Sequence, residues 1–315
     1  MEFSFRLLYI CKYGNDWRKG LRFLYTKKIF LPIRFIVILV GFISAVNLPI
    51  LLTFNPYQLK VEFRLSFFKE YVLSNLSWFT HANEYPWILQ YFEGDGIHRY
   101  LYTMSLLGIA LFIVIILSLI IATGIMLLPL PIQKRFKGFI DFSTTVPDLL
   151  IIALIQYLVF YLFKTYNFRL FRLYGGVETE PYFVPIFIVI FVPTLFLTQL
   201  ILKEYSSEEL QDYVLFAKAK GLPLRTIYIK HIFRNIIPLI LIHLKYIVWF
   251  LLSSIYLIEH ILNIKGYSAA LTYMYGTRVV LFVVGLLLFS LPLVIVSAVG
   301  YVVKLIMIRK ETPSI

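Results

Sequence analysis

Long apolar runs alternate with short polar breaks along this chain. Runs near 29–54, 100–128, 142–163, 181–202, 236–262 and 279–308 each approach or exceed the ~20 residues a helix needs to cross hydrocarbon. They predict an all-α, polytopic membrane protein with six transmembrane helices. The first span, 29–54, is set apart by a polar loop over 55–99, and the other five fall within a core of 100–308. A shorter polar loop covers 164–180. Residues 1–28 mix Phe3, Phe5, Leu7, Leu8 and Phe23 with basic side chains, a pattern that predicts an interfacial amphipathic segment. In the long loop, Val61, Phe63, Leu65 and Phe67 alternate with Glu62, Arg64 and Ser66, which predicts a strand. Residues 309–315 form a polar tail.

The longest polar break of the second half, 203–235, carries its own helix punctuation. Ser206 and Glu209 stand in the S-x-x-E spacing of a capping box. Glu208, Glu209 and Asp212 would sit near the positive end of a helix dipole, Lys218 and Lys220 near its negative end. Leu210, Tyr213, Val214 and Ala217 fall at i, i+3, i+4 and i+7, one apolar stripe. Gly221 is placed for a left-handed C-terminal cap, and Pro223 forbids simple continuation. A short amphipathic helix between two spans is the expectation.

The run D-Y-V-x-x-A-K-A-K-G-L from Asp212 to Leu222, followed by H-I-F-R-N and Pro238, resembles the cytoplasmic loop of binding-protein-dependent ABC importer permeases. It is most similar to the dipeptide/oligopeptide branch, which also includes nickel-chelate and glutathione importers. Pro86–Gly96, Asp141 with Pro147, and Glu259–Tyr267 resemble further segments of that family. The chain departs from the pattern at Leu262, Lys265, Ser268 and Arg278, and in its Arg309-Lys310-Glu311 end. The resemblance implies that the loop docks into a groove on a cytoplasmic ATPase through Glu209, Asp212, Tyr213, Ala217, Lys218, Ala219, Lys220, Gly221 and Leu222. It implies a bacterial cell membrane location and four kinds of partner. These are a second homologous permease, two ATPases, an extracytoplasmic substrate-binding protein and the surrounding lipid. Di- or oligopeptides are the expected cargo, with a nickel chelate or another small solute as the alternative.

Composition sharpens this picture. The chain is 60% hydrophobic and only 15% charged, so its +13 net charge is read by location rather than as a sign of nucleic-acid binding. With residues 1–28 inside, 20 Lys and Arg fall on inner segments and nine on outer ones, which predicts a cytoplasmic N-terminus, Cys11 included. A single cysteine excludes an intrachain disulfide. No glycine is followed by lysine, so no phosphate-binding P-loop exists on this chain and ATP hydrolysis belongs to another subunit. No H-E-x-x-H, G-x-S-x-G or C-x-x-C occurs, and the five histidines have no partner at i+3 or i+4. Catalytic residues, metal ligands and cofactors are therefore not expected.

Polar residues within the spans narrow the candidates for a path or gate. Ionisable groups in hydrocarbon are expensive and usually face a cavity or a partner. Lys245 and Glu259 are such groups, and Gly266 follows Glu259 in the motif that the resemblance places near the outer gate. Lys245 can equally extend to the inner surface along its aliphatic stem. A secondary transporter or channel working without ATP is the competing class, but it would call for several facing ionisable groups deep in the spans.

Overall fold

The computed structural model describes residues 37–55, 60–77, 92–166, 181–277 and 279–311. Residues 1–28, Cys11 and most of Pro86–Gly96 lie outside them. The chain forms two compact units. The smaller holds the N-terminal part to Tyr85 together with Thr277–Val283, and the larger holds Pro86–Gly276 with Val284–Ile315.

In the smaller unit, the described part of the first predicted span is helical only over α1, Val37–Val46. Pro49 sits in a 3-10 turn, Leu48–Leu51, and the chain is already extended by Leu52, so no helix reaches residue 54. Strands β1, Leu52–Asn55, and β2, Lys60–Phe63, pair antiparallel with Leu52 opposite Phe63. The predicted strand thus exists over its first half only. From Leu65 the chain is helical, as α2, Leu65–Ser77. The half-buried residues Phe68, Val72, Asn75 and Leu76 recur at i, i+4, i+7 and i+8, and this helical period overrides the short alternation before it. Ile43, Val279 and Val283 form a small buried cluster with Leu39, Val46 and Leu76 against it.

The larger unit is a helical bundle. Its helices are α3, Ile97–Met126; α4, Leu130–Ser143; α5, Asp148–Tyr166; α6, Phe183–Glu208; α7, Asp212–Ala219; α8, Phe233–Ile261; α9, Tyr267–Thr277; and α10, Val279–Glu311, whose first residues belong to the smaller unit. Between α7 and α8 come a helical turn, Leu224–Thr226, and a π-helical segment, Ile227–Ile232. Five stretches among the described residues are long and apolar enough to cross a membrane: Gly94–Met126, Leu149–Tyr166, Phe183–Glu208, Leu224–Ile261 and Leu281–Met307. The protein is an all-α membrane protein with one short hairpin among its described residues.

Three spans are shifted from the expected limits, the fifth beginning at Leu224 rather than at 236. Residues 142 and 143 close α4, and the third span starts after Pro147, which cannot donate a helical hydrogen bond. The fourth runs on to Glu208, six residues past 202. The core lies where α3, α6 and α8 meet, around Leu106, Val114, Leu197, Ile201, Ile247 and Leu251. Polar side chains inside it are used as ties. Ser118 Oγ of α3 donates to the Thr194 carbonyl of α6 at 3.0 Å.

Gly300 marks a close approach of α10 to α8. A Cβ there would lie 3.3 Å from the Leu241 carbonyl oxygen and 3.4 Å from Ile242 Cα, both backbone atoms that cannot swing aside. Small residues permit such packing in membranes. Gly300→Leu should therefore cost about 1–3 kcal/mol by overpacking, and lower the melting temperature of the detergent-solubilised protein. Gly300→Ala should cost clearly less in the same measurement.

Candidate functional site

The polar loop becomes a helix whose two ends are closed by different means. At its start, Gln211 is the N-cap residue and makes no side-chain cap bond. The expected Ser206/Glu209 capping box does not form, because the preceding span continues as helix through Ser206. Ser206 Oγ instead donates to the Leu202 carbonyl at 2.8 Å and accepts from Lys137 Nζ of α4 at 3.1 Å. At the other end the expectation holds. Gly221 has φ +75°, Leu222 N–H reaches the Ala217 carbonyl at 3.3 Å and Gly221 N–H the Lys218 carbonyl at 3.0 Å. This is a Schellman cap.

The apolar stripe divides. Val214 and Ala217 are buried, at 0% and 6% exposure, and seat the helix on the bundle. Leu210 and Tyr213 are exposed, Leu210 at 79%. Ala217 thus faces the protein's own core, not outward. Asp212, Lys218, Ala219, Lys220, Gly221 and Leu222 are exposed. Leu215 and Phe216, absent from the sequence-derived set, are exposed as well, with Lys220 Nζ over the Phe216 ring at 4.4 Å. They lie on the face opposite the seated pair, a pattern the i, i+3, i+4 count could have given had Val214 and Ala217 been taken as the inner face.

Two adjacent acids at the end of α6 grip α7. Glu208 accepts from the Tyr213 hydroxyl, and Asn235 Nδ2 lies 3.4 Å from the same carboxylate oxygen. Burial, then the hydrogen bond to Glu208, push the Tyr213 phenol up to about 12, so it stays a donor at physiological pH. Glu209 accepts from Lys218 Nζ at 2.9 Å. Half-buried and paired, Glu209 turns toward its own chain.

A second polar cluster lies at the far end of α8. Glu259 is 24 residues beyond Asn235, about 36 Å by helical rise. It is 1% exposed. One carboxylate oxygen accepts from Thr103 Oγ1 of α3, and the other from the Ser268 N–H at 2.9 Å. Thr103 Oγ1 also accepts the Tyr267 N–H at 2.8 Å. Glu259 and Thr103 together cap the start of α9, whose first N–H groups have no partner within the helix. Gly266 is part of the same arrangement. A Cβ there would fall on the Glu259 carboxyl group itself. The structure thus brings Glu259 and Gly266 together. Lys245 is not with them: it lies about 21 Å back along α8, half-buried, with Nζ 4.9 Å over the Tyr246 ring. No cluster of three metal-ligating side chains exists among the described residues.

This geometry makes two claims that can be measured. Gly266→Ala must displace the Glu259 carboxyl group, and leaving buried polar groups without their hydrogen bonds costs roughly 1–3 kcal/mol. The double variant Glu259→Ala/Gly266→Ala should be less destabilised than the two single variants summed, because they share one contact; a melting-temperature cycle checks this. Gly221→Ala should lose about 1–2 kcal/mol through φ alone, since open space surrounds its Cβ position. Gly221→Asn should lose less, because asparagine enters the left-handed region more readily.

No curated protein matches this sequence. The profile of one protein family, the binding-protein-dependent transport system inner membrane component, matches residues 114–307. That is more than half of the chain, and it takes in α7, Glu259 and Gly266. Such components are the membrane permeases of ABC transporters, working with an ATPase and a substrate-binding protein. The chain, with its apolar spans and its capped helix between two of them, belongs to the family of binding-protein-dependent transport system inner membrane components.

Proposed function

We propose that this permease imports short peptides, and that α7 is the element through which separate ATPases drive it. The observation that carries the coupling role is the two-sidedness of α7. One face is anchored by Val214 and Ala217, while Leu215 and Phe216, 53% and 62% exposed, stand on the other with Leu222 beside the cap. Exposed apolar side chains grouped on a capped, rigid helix are the mark of a docking surface. Asp212 and Lys220 border that surface. Ala217 and Gly221 act from behind it, fixing its angle.

The assembly in this reading contains a second homologous permease, two ATPases and an extracytoplasmic binding protein, with the N-terminus inside. The charge bias between inner and outer segments supports the orientation. The separation of the α7 cluster and the Glu259 cluster along α8 supports placing them on opposite sides of the bilayer. Glu259 and Gly266 hold α9 in place at the outer side of the path. Lys245 is a lone half-buried cation within the inner half of α8. Mostly apolar spans with little fixed charge suit a cargo of varied side chains, with selectivity left to the binding protein.

Uptake of labelled di- to pentapeptides, with nickel in parallel, in a strain lacking only this gene tests the cargo. Peptide uptake should fall and nickel uptake should not; the reverse would move the protein to metal-chelate transport. Leu215→Asp and Phe216→Asp should insert normally yet lose ATPase association in pull-downs of the tagged permease. Retention of the ATPase by both variants would contradict the docking role.

A further inference from the structure

Helix α4 meets the end of α6 along a seam rich in cations. Gln133 Nε2 donates to the Met126 carbonyl at 3.0 Å, which pins the start of α4 to the end of α3. Lys137 Nζ donates to Ser206 Oγ at 3.1 Å, and Gln199 Nε2 to Asp141 Oδ1 at 2.8 Å. Passing along α4 from Lys137 to Asp141 therefore leads back along α6 from Ser206 to Gln199, so the two helices run antiparallel there. Lys203 comes four residues after Gln199 and three before Ser206, on the side of α6 that faces α4. Lys134 precedes Lys137 by about one turn, with Arg135 next to it. Lys134, Arg135 and Lys203 are exposed and make no ion pair among the described residues. The single acid within α4, Asp141, is engaged by Gln199. Glu204 follows Lys203 but points about 100° further around α6.

Charge is half of the pattern. Ile132, Phe136, Phe139 and Phe142 are exposed and recur at i, i+4, i+7 and i+10, on a different side of α4 from Lys134 and Lys137. The helix starts four residues after the end of one apolar span and lies against the end of another, so hydrocarbon is within reach of its aromatic side. A helix with cations along one side and exposed aromatic rings along another suits a membrane surface. We propose that the α4–α6 seam binds the phosphate of an anionic phospholipid through Lys134, Lys137 and Lys203, with the acyl chains along Phe139 and Phe142. Cations next to the end of a span attract anionic headgroups. Two features favour a lipid over the acidic surface of a soluble protein. The cations border an apolar stripe that acyl chains would cover and a water-soluble partner would not. They also come from two helices tied by hydrogen bonds, and Lys137 is already oriented by Ser206, which lowers the ordering cost of binding. The proposal needs α3 and α6 to be membrane spans; it is independent of the cargo and of the docking role of α7.

Native mass spectrometry of the purified full-length permease tests this, with dioleoyl phosphatidylglycerol and dioleoyl phosphatidylcholine as probes. The two share their acyl chains and differ in net charge. The first phosphatidylglycerol should bind about tenfold or more tightly than phosphatidylcholine, and Lys134→Gln/Lys203→Gln should bring the two within about threefold. Lys134→Arg/Lys203→Arg should keep the preference. Lys164→Gln/Lys304→Gln removes the same charge from exposed positions elsewhere and should keep it too. Phosphatidylglycerol bound no more tightly than phosphatidylcholine would overturn the proposal and leave the seam to an acidic protein surface. An equal loss in both glutamine pairs would also overturn it, since the attraction would then be a diffuse field and not a site. Displacement of the lipid by inorganic phosphate at fixed ionic strength would assign the seam to a free anion instead.

Discussion

Hydrocarbon offers no water to a polar group, so the polar groups kept inside these spans are mostly paired within the protein, Thr194 Oγ1 being an exception among the described residues. The arrangement of the larger unit follows from how the chain meets that demand. Ser118 bonds the Thr194 carbonyl, Thr123 bonds Tyr205, and Thr103 bonds Glu259. All three donors or partners on α3 reach a different point of the bundle, two on α6 and one on α8. Apolar packing around Leu197, Ile201 and Ile247 fills the space, but lipid is as apolar as leucine and cannot by itself select one packing over another. The polar ties make that selection.

The same constraint accounts for the two ends of α8. The Glu259 carboxyl group is held because Thr103 Oγ1 and the Ser268 N–H donate to it, and because Gly266 leaves room for it. At the opposite end, acids and tyrosines meet in a zone where water is near. Helix α7 is held by two buried apolar residues, a glycine cap and two acids, and the face bearing Leu215 and Phe216 is exposed.

Much of this was legible in the residues, though unevenly. The spans from 100 onward follow from apolar length, and the left-handed Gly221 follows from its place before Pro223. The start of α7 was not legible: S-x-x-E spacing fits a capping box, but the fourth span simply runs past it, since nothing in 203–208 forbids helix. Local spacing cannot tell which of two adjoining helices owns a residue. The inward turn of Ala217 and Glu209 was hidden for a related reason, as an amphipathic stripe does not say whether its apolar side faces the chain or a partner. The resemblance paired Glu259 with Gly266 by motif, and only the coordinates give the reason, a carboxyl group standing where a Cβ would be. Thr103, 156 residues away, carries no sequence signal for its part in that site.

The central claim is that α7 meets the ATPase with the face bearing Phe216 while the face bearing Val214 stays against the bundle. Photo-crosslinking in living cells addresses it directly, with a benzophenone amino acid placed at position 216 in one strain and at 214 in another. Position 216 should yield a crosslinked product whose partner peptides identify an ABC ATPase, and position 214 should yield only intrachain product. An ATPase adduct from 214, or none from 216 in cells that assemble the transporter, would contradict the account.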